Sequence, residues 1–447
     1  MADYSTTLKT QYLEARSHIK NRQTEFRFDK NTIYTPNIRL VNVGLRCPVG
    51  AGSQDEYNRQ AGILACIKAC RLMDGSRELT SSRHSYLWSA FKNINANNEQ
   101  MCDIRDRLHK SSQGLRQTPF GDVNGVNDNV NVIEIEGSAP ADGTDLGYVD
   151  LRLLLPLLST LPALDTKVFP NLRLIVEWET NPLLVTLAKS VVDVVQPTLV
   201  ADEVIGDAKA QMLRKASMGS FVWNEIEHDQ FNVPQGVNAG ATTSEVKQEV
   251  ARVVNGFDNK YLGRVLMVKS FTDKTKMSVS NNGSNPFMGG NGNACSQAQF
   301  NEVVQLRIGG ANIFPADGLK NDAFKSMLFQ ETWGVSLCPP FCNVSQCGFD
   351  NDKNVCLNLN GTLETFGSNA TNGMQNLKVG QYAYIGFSVE DRVKQLQFTY
   401  SRSVVRENGG ATRTLIARSQ NVLDVHLYGE ISKSLKISNG GYEISYM

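Results

Sequence analysis

The chain has no excess charge of either sign: 45 Lys and Arg residues balance 45 Asp and Glu. That removes the global attraction on which nonspecific nucleic-acid binders rely, so any nucleic acid would have to be met locally. A long hydrophobic run is also missing. The most apolar stretch, LRLLLPLLSTLPAL at 151–164, is interrupted by Arg152, Pro156 and Pro162, and the opening MADYSTTLKTQYLEARSHIKNR holds no apolar signal core. Neither a membrane span nor a secretory leader is expected, and synthesis in the cytoplasm is. Histidine is scarce, with His18, His84, His109, His228 and His426 far apart in sequence. There is no G-x-S-x-G, P-loop, H-E-x-x-H or strand-linked G-x-G-x-x-G. Neither an enzyme nor a cofactor is expected.

What is present is a core. Hydrophobic residues make up 41% and charged residues 20%, which places the chain among globular proteins, and 447 residues exceed one ordinary core. The second half loosely repeats the strand pattern of the first at an offset of about 224 residues. NLRLIVEW (171–178) matches QLQFTYSR (395–402): Leu172, Leu174, Val176 and Trp178 share one parity, as do Leu396, Phe398 and Tyr400. Period two marks a half-buried strand. LVADEVIG (199–206) and LDVHLYGE (423–430) follow at nearly the same distance. A weaker pairing sets 62–79 against 301–314, with breaks at Gly75 and Gly309. Shared order points to two copies of one β-rich unit.

Three helices are expected, one ahead of the strands and two among them. Leu8, Tyr12, Ala15 and Ile19 recur at helical intervals, which predicts a mildly basic helical arm over 1–30. A short helix is expected at 148–159. Thr242 and Glu245 read as a capping box, with Val246, Val250 and Val253 on one face and Gly256 as the stop, giving a linker with a helix at 237–256. The expected units are therefore 31–236 and 257–447. Long polar loops at 271–300 and 343–380 read as exposed excursions.

Of nine cysteines, Cys338, Cys342, Cys347 and Cys356 cluster within nineteen residues. Their intervals of three, four and eight residues depart from zinc-ribbon and zinc-finger spacing, so free thiols or a loop disulfide are weighed ahead of zinc, and no metal is expected. DNDKN at 350–354 opens like a calcium loop but lacks its glycine and final glutamate. Sequons at Asn282, Asn343, Asn360 and Asn369 are the positions a surface glycan would take, and all lie in the polar loops. Glu225, Glu227 and Asp229 share a strand face, with Glu177 and Glu179 on another strand. Such carboxylates can serve glycoside hydrolysis, although a solvated face is the plainer reading.

The runs DLRLLLPLLSTLPALDTKVFPNLRLIVEW, LVADEVIGD and FVWNEIEHDQF, then VVQLRIGGANIFP, ETWG and DVHLYGEISKSLKI, together resemble the double jelly-roll major capsid proteins of double-stranded DNA viruses. Virophages, polinton-like viruses and nucleocytoplasmic large DNA viruses carry this type. The resemblance implies an all-β chain of two tandem eight-stranded jelly rolls with a few short helices. It implies pseudo-hexagonal homotrimers that tile an icosahedral shell in the virion. The implied partners are neighbouring capsomers, minor capsid and penton proteins, an internal membrane or genome through the arm, and a host surface through the loops. The alternatives are a carbohydrate-binding β-sandwich, as in a receptor-binding or minor capsid protein, and a hydrolase or lyase built on the carboxylates.

Overall fold

The computed structural model describes residues 7–46, 56–57, 62–88, 147–180, 184–185, 193–234, 245–271, 300–320, 322–333, 384–405, 423–438 and 441–447. The parity reading of the strands holds. In Leu172–Trp178 the four residues of the apolar parity are buried, while Arg173 and Glu177 on the other face are half-buried. Leu396, Phe398 and Tyr400 are buried likewise.

The two halves have the same topology. In the first, Gly147–Asp150, Arg39–Val43, Thr198–Val204 and Leu8–Leu13 lie side by side in one antiparallel sheet. Opposite run Gln23–Arg27, Leu172–Trp178, Ile67–Asp74 and Arg77–Arg83. In the second half the corresponding sheets run Tyr384–Val393, Lys260–Phe271, Leu423–Ser438, Gly219–Val233 and Glu245–Val254, Leu396–Val405, Phe300–Ile308, Ala311–Asn312. Followed along the chain, the eight principal strands of each half switch between their two sheets in the same order. That alternation defines a jelly roll, here present twice. Even the weakest repeat is structural: Gly75 (φ 59°) turns one hairpin and Gly309 (φ 57°) with Gly310 (φ 88°) turns its counterpart, conformations that glycine adopts without penalty.

Three helix expectations are corrected. Residues 8–27 form strands Leu8–Leu13, Ser17–Ile19 and Gln23–Arg27, not a helical arm. The helical intervals are accidental, and pairing with Thr198–Val204 and Leu172–Trp178 decides the conformation. The expected stripe is split, with Leu8 packed near Ile33, Ala163 and Val204 while Tyr12 is 71% exposed. Glu245–Val254 is a strand, its valines paired along Leu396–Val405. The helix expected at 148–159 is a strand to Asp150, a 3-10 turn at Leu151–Leu153 and one α-turn at Leu157–Thr160 that begins after Pro156.

Two helices were not foreseen. Asp207–Ser217 is rich in Ala, Lys, Gln, Met and Leu, with Asp207 in its first turn and Arg214 and Lys215 in its last, which suits the helix dipole. Ala210 and Leu213 pack on Ile33, Ala163 and Val204, and Arg214 Nε donates to Asp165 at 2.9 Å. The helix joins the last strand of the first jelly roll to Gly219–Val233. That strand falls inside the expected unit 31–236, yet it pairs along its whole length with Leu423–Ser438. The second, Asp322–Trp333, lies against Tyr384–Val393. Among the described residues no helix is long and apolar enough to cross a membrane.

The second jelly roll is packed tightly around Gly429. A Cβ on Gly429 would lie 2.5 Å from Phe257 Cε1 and 2.7 Å from Leu262 Cδ1, both side chains fully buried. Glycine in a strand interior here permits close packing. Gly429→Ala is expected to cost about 1–3 kcal/mol through overpacking. Urea unfolding that leaves the midpoint unchanged would refute this.

Candidate functional site

The carboxylates singled out in the sequence do not form an open pair. Glu225 is buried, 1% exposed, where the Arg77–Arg83 strand of the first jelly roll meets the Gly219–Val233 strand of the second. A solvated strand face is therefore wrong for this residue. Its carboxylate accepts from Thr80 Oγ1 (3.0 Å), Ser81 N (3.1 Å), Ser81 Oγ (3.4 Å), Trp223 Nε1 (3.1 Å) and Lys433 Nζ (2.8 Å). Thr80 and Ser81 come from one jelly roll, and Trp223, Glu225 and Lys433 from the other. Burial opposes the charge on Lys433, but the Glu225 carboxylate beside it prevails and holds its ammonium above the usual lysine range. A buried ion pair persists only when its remaining hydrogen-bonding capacity is also met, and here the carboxylate has four further donors while the ammonium lies 5.1 Å from the Tyr446 ring.

Three of the other carboxylates are bonded within the fold as well. Glu227 Oε2 accepts from Lys260 Nζ at 3.1 Å, and Asp229 accepts from the backbone N–H of Gln230 and Gly256. Glu177 pairs with Arg71. Glu179 donates its backbone N–H to the Cys66 carbonyl. Among the described residues no group of His, Cys, Asp and Glu side chains could hold a metal ion. Cys66 and Cys70 are buried free thiols, and burial pushes Cys70 up to about 12, so neither is a nucleophile at neutral pH. Cys338, Cys342, Cys347, Cys356, Asn282, Asn343, Asn360 and Asn369 all lie outside the described residues, as do the 350–354 segment and most of both polar loops.

The site that does form is the seam between the jelly rolls. Its Glu225 cluster is flanked on one side by Tyr442, whose hydroxyl donates to Asp74 at 2.9 Å and whose ring lies 4.9 Å from Phe169 and 5.0 Å from the Arg77 guanidinium. On the other side Tyr428 donates to the His84 carbonyl at 2.8 Å. Arg264 grips Glu430 with two hydrogen bonds of 2.7 and 2.8 Å and lies over Trp333, tying the Asp322–Trp333 helix to the sheet. Sequence reading missed this seam because its partners are far apart in the chain. The visible trace was the register: Glu225 stands opposite Ile431, so Lys433 is its diagonal neighbour on the same face.

The arrangement is two β-sandwiches in contact along a polar seam with apolar flanks. It is that of a double jelly-roll protein. No protein-family model matches the chain, and none of the curated proteins does. Solved structures of the same fold do. The capsid of the virus PBCV-1 aligns with TM-score 0.51 at 10% identity, over 98% of this chain and 96% of its own. PBCV-1 VP54, fitted into a reconstruction of the virophage Sputnik, aligns with TM-score 0.53 at 10% identity over the same shares. A chain from the Sputnik virophage cryo-EM structure aligns with TM-score 0.50 at 12% identity, over 98% of this chain and 88% of its own. At such identities the shared property is the fold.

Proposed function

We propose that this chain is a major capsid protein that assembles as a homotrimer, six jelly rolls forming a pseudo-hexagonal tile of an icosahedral shell. One observation carries the reading: the strand order of one jelly roll is repeated in the other, and the whole duplicated chain aligns end to end with capsid structures. Two like units per chain let three chains approximate sixfold symmetry. The carboxylates engaged in structural bonds support a role without catalysis.

The units we assign are 8–206 and 219–447, joined by the Asp207–Ser217 helix, in place of a division at 236. Neighbouring capsomers, minor capsid and penton proteins are the partners this role requires, and the virion is its location. An internal membrane or genome held by an N-terminal arm is not part of the proposal, because residues 8–27 are strands of the first jelly roll.

Light scattering on the purified chain tests the reading. A species of three times 49.4 kDa, or larger closed particles, is the expected result. A clean monomer across the micromolar range would overturn it and favour a carbohydrate-binding sandwich.

A further inference from the structure

Three of the five histidines meet at the seam. His228 and His426 stand on adjacent strands of the second jelly roll, diagonal neighbours in register, with Nε2 of the first 3.0 Å from Nδ1 of the second. His84 comes from the first jelly roll, just after the Arg77–Arg83 strand, in the left-handed region (φ 46°). Its ring centroid is 4.6 Å from that of His228 and 5.7 Å from that of His426. Tyr428 closes the group, its hydroxyl on the His84 carbonyl and its ring 5.0 Å from His228. Three imidazoles in contact can take up protons near neutral pH.

We propose that His84, His228 and His426 form a proton-operated latch that keeps the two jelly rolls closed while the rings are neutral and loosens the seam in mild acid. The Nε2–Nδ1 hydrogen bond needs a nitrogen without a proton to accept it, so a doubly protonated His228–His426 pair loses the bond. Protonation on both sides of the seam also sets like charges within a few ångströms in a partly dry space.

The surroundings favour this response. The charges acting on His228 are His426, His84 and Arg83, and all oppose its protonation. From the first jelly roll Tyr86 also faces the cluster, its ring 6.2 Å from that of His84. Tyr86 and Tyr428 have hydroxyls that burial keeps protonated far above neutral pH. The carboxylates nearby, Glu179 and Asp424, act on Tyr86. The Lys260–Phe271 strand presents Val268 opposite His426. Beyond Tyr428, Trp88 meets Trp333 edge to face, and Trp333 lies under Arg264, which Glu430 neutralises.

The sign follows from His228. Burial first, then its positive neighbours, holds it well below the ordinary 6.5 when the seam is closed. An opened seam lets it return toward 6.5 and take up a proton. Closure is therefore favoured above about pH 6.5 and weakens as pH falls below it, about tenfold per pH unit for each proton taken up on opening.

Hydrogen–deuterium exchange on the full-length protein, corrected for intrinsic rates, is the test. Between pH 7.5 and 5.5 the seam peptides around 80–84 and 425–431 are expected to lose protection at least tenfold, while the Leu172–Trp178 strand does not. His228→Gln combined with His426→Gln should flatten that difference. Unchanged seam protection in acid, or the same loss in the double variant, would overturn the latch. If the double variant fails to fold, histidine NMR titration of the wild type decides: three ordinary values near 6.5 would overturn it, and at least one well below would support it.

Discussion

Lys433→Met is expected to destabilise the chain by about 3–5 kcal/mol, the usual cost of leaving one member of a buried ion pair without its partner. Glu225 and Lys433 have side chains only 2% and 5% exposed, so solvent cannot take over the role of the lost ammonium. Thr80, Ser81 and Trp223 would still donate to the carboxylate, which places the effect toward the lower end of that range. The double variant Glu225→Gln, Lys433→Met removes both charges and should recover most of the loss. Urea denaturation of the single and double variants measures both. A single variant within about 1 kcal/mol of wild type would show that the seam does not depend on this pair.

Deleting residues 1–28 is expected to abolish soluble folded protein. The deletion takes away Leu8–Leu13 from one sheet and Ser17–Ile19 with Gln23–Arg27 from the other. It strips Phe26 from the core, exposes the edge of Leu172–Trp178, and removes the Thr24 hydroxyl that accepts from Trp178 Nε1 at 2.7 Å. Thr10 and its 2.9 Å bond to Asp202 go with it. Two sheets opened along an edge expose unpaired backbone, a template for aggregation. Soluble yield and circular dichroism read the outcome, and a soluble trimer from the truncated chain would contradict the assignment of these strands.

What the sequence disclosed was periodic and local. Leu172 to Trp178 and Leu396 to Tyr400 alternate so cleanly that their faces could be assigned, and the order of repeats anticipated a duplication now seen strand for strand. The first strands were hidden because Leu8, Tyr12, Ala15 and Ile19 imitate a helical stripe, while the pairing that makes them strands lies near residue 200. Glu245–Val254 was hidden for the same reason, its cap signal overruled by a ten-residue ladder with Leu396–Val405. The Asp207–Ser217 helix carries plain propensity signals, Ala, Lys, Gln, Met and Leu, directly beside a strong strand. The seam was least legible, since Glu225 and Lys433 are 208 residues apart and His84 and Tyr428 are 344 apart. Neither pair has any local signature.

The seam joins unlike surfaces. A hairpin strand of the first jelly roll, Arg77–Arg83, abuts the Gly219–Val233 and Leu423–Ser438 sheet of the second. The topological equivalents are the Phe300–Asn312 hairpin in the second jelly roll and the Leu8–Leu13 and Thr198–Val204 sheet in the first. The contact thus has polarity, with a plug and a socket on every unit. Head-to-tail contacts of that kind do not pair off face to face, and they close into a ring where the rotation from unit to unit returns to its start. Copies joined through their remaining plugs and sockets would circulate in one direction, and each ring would have a handedness already present inside a single chain.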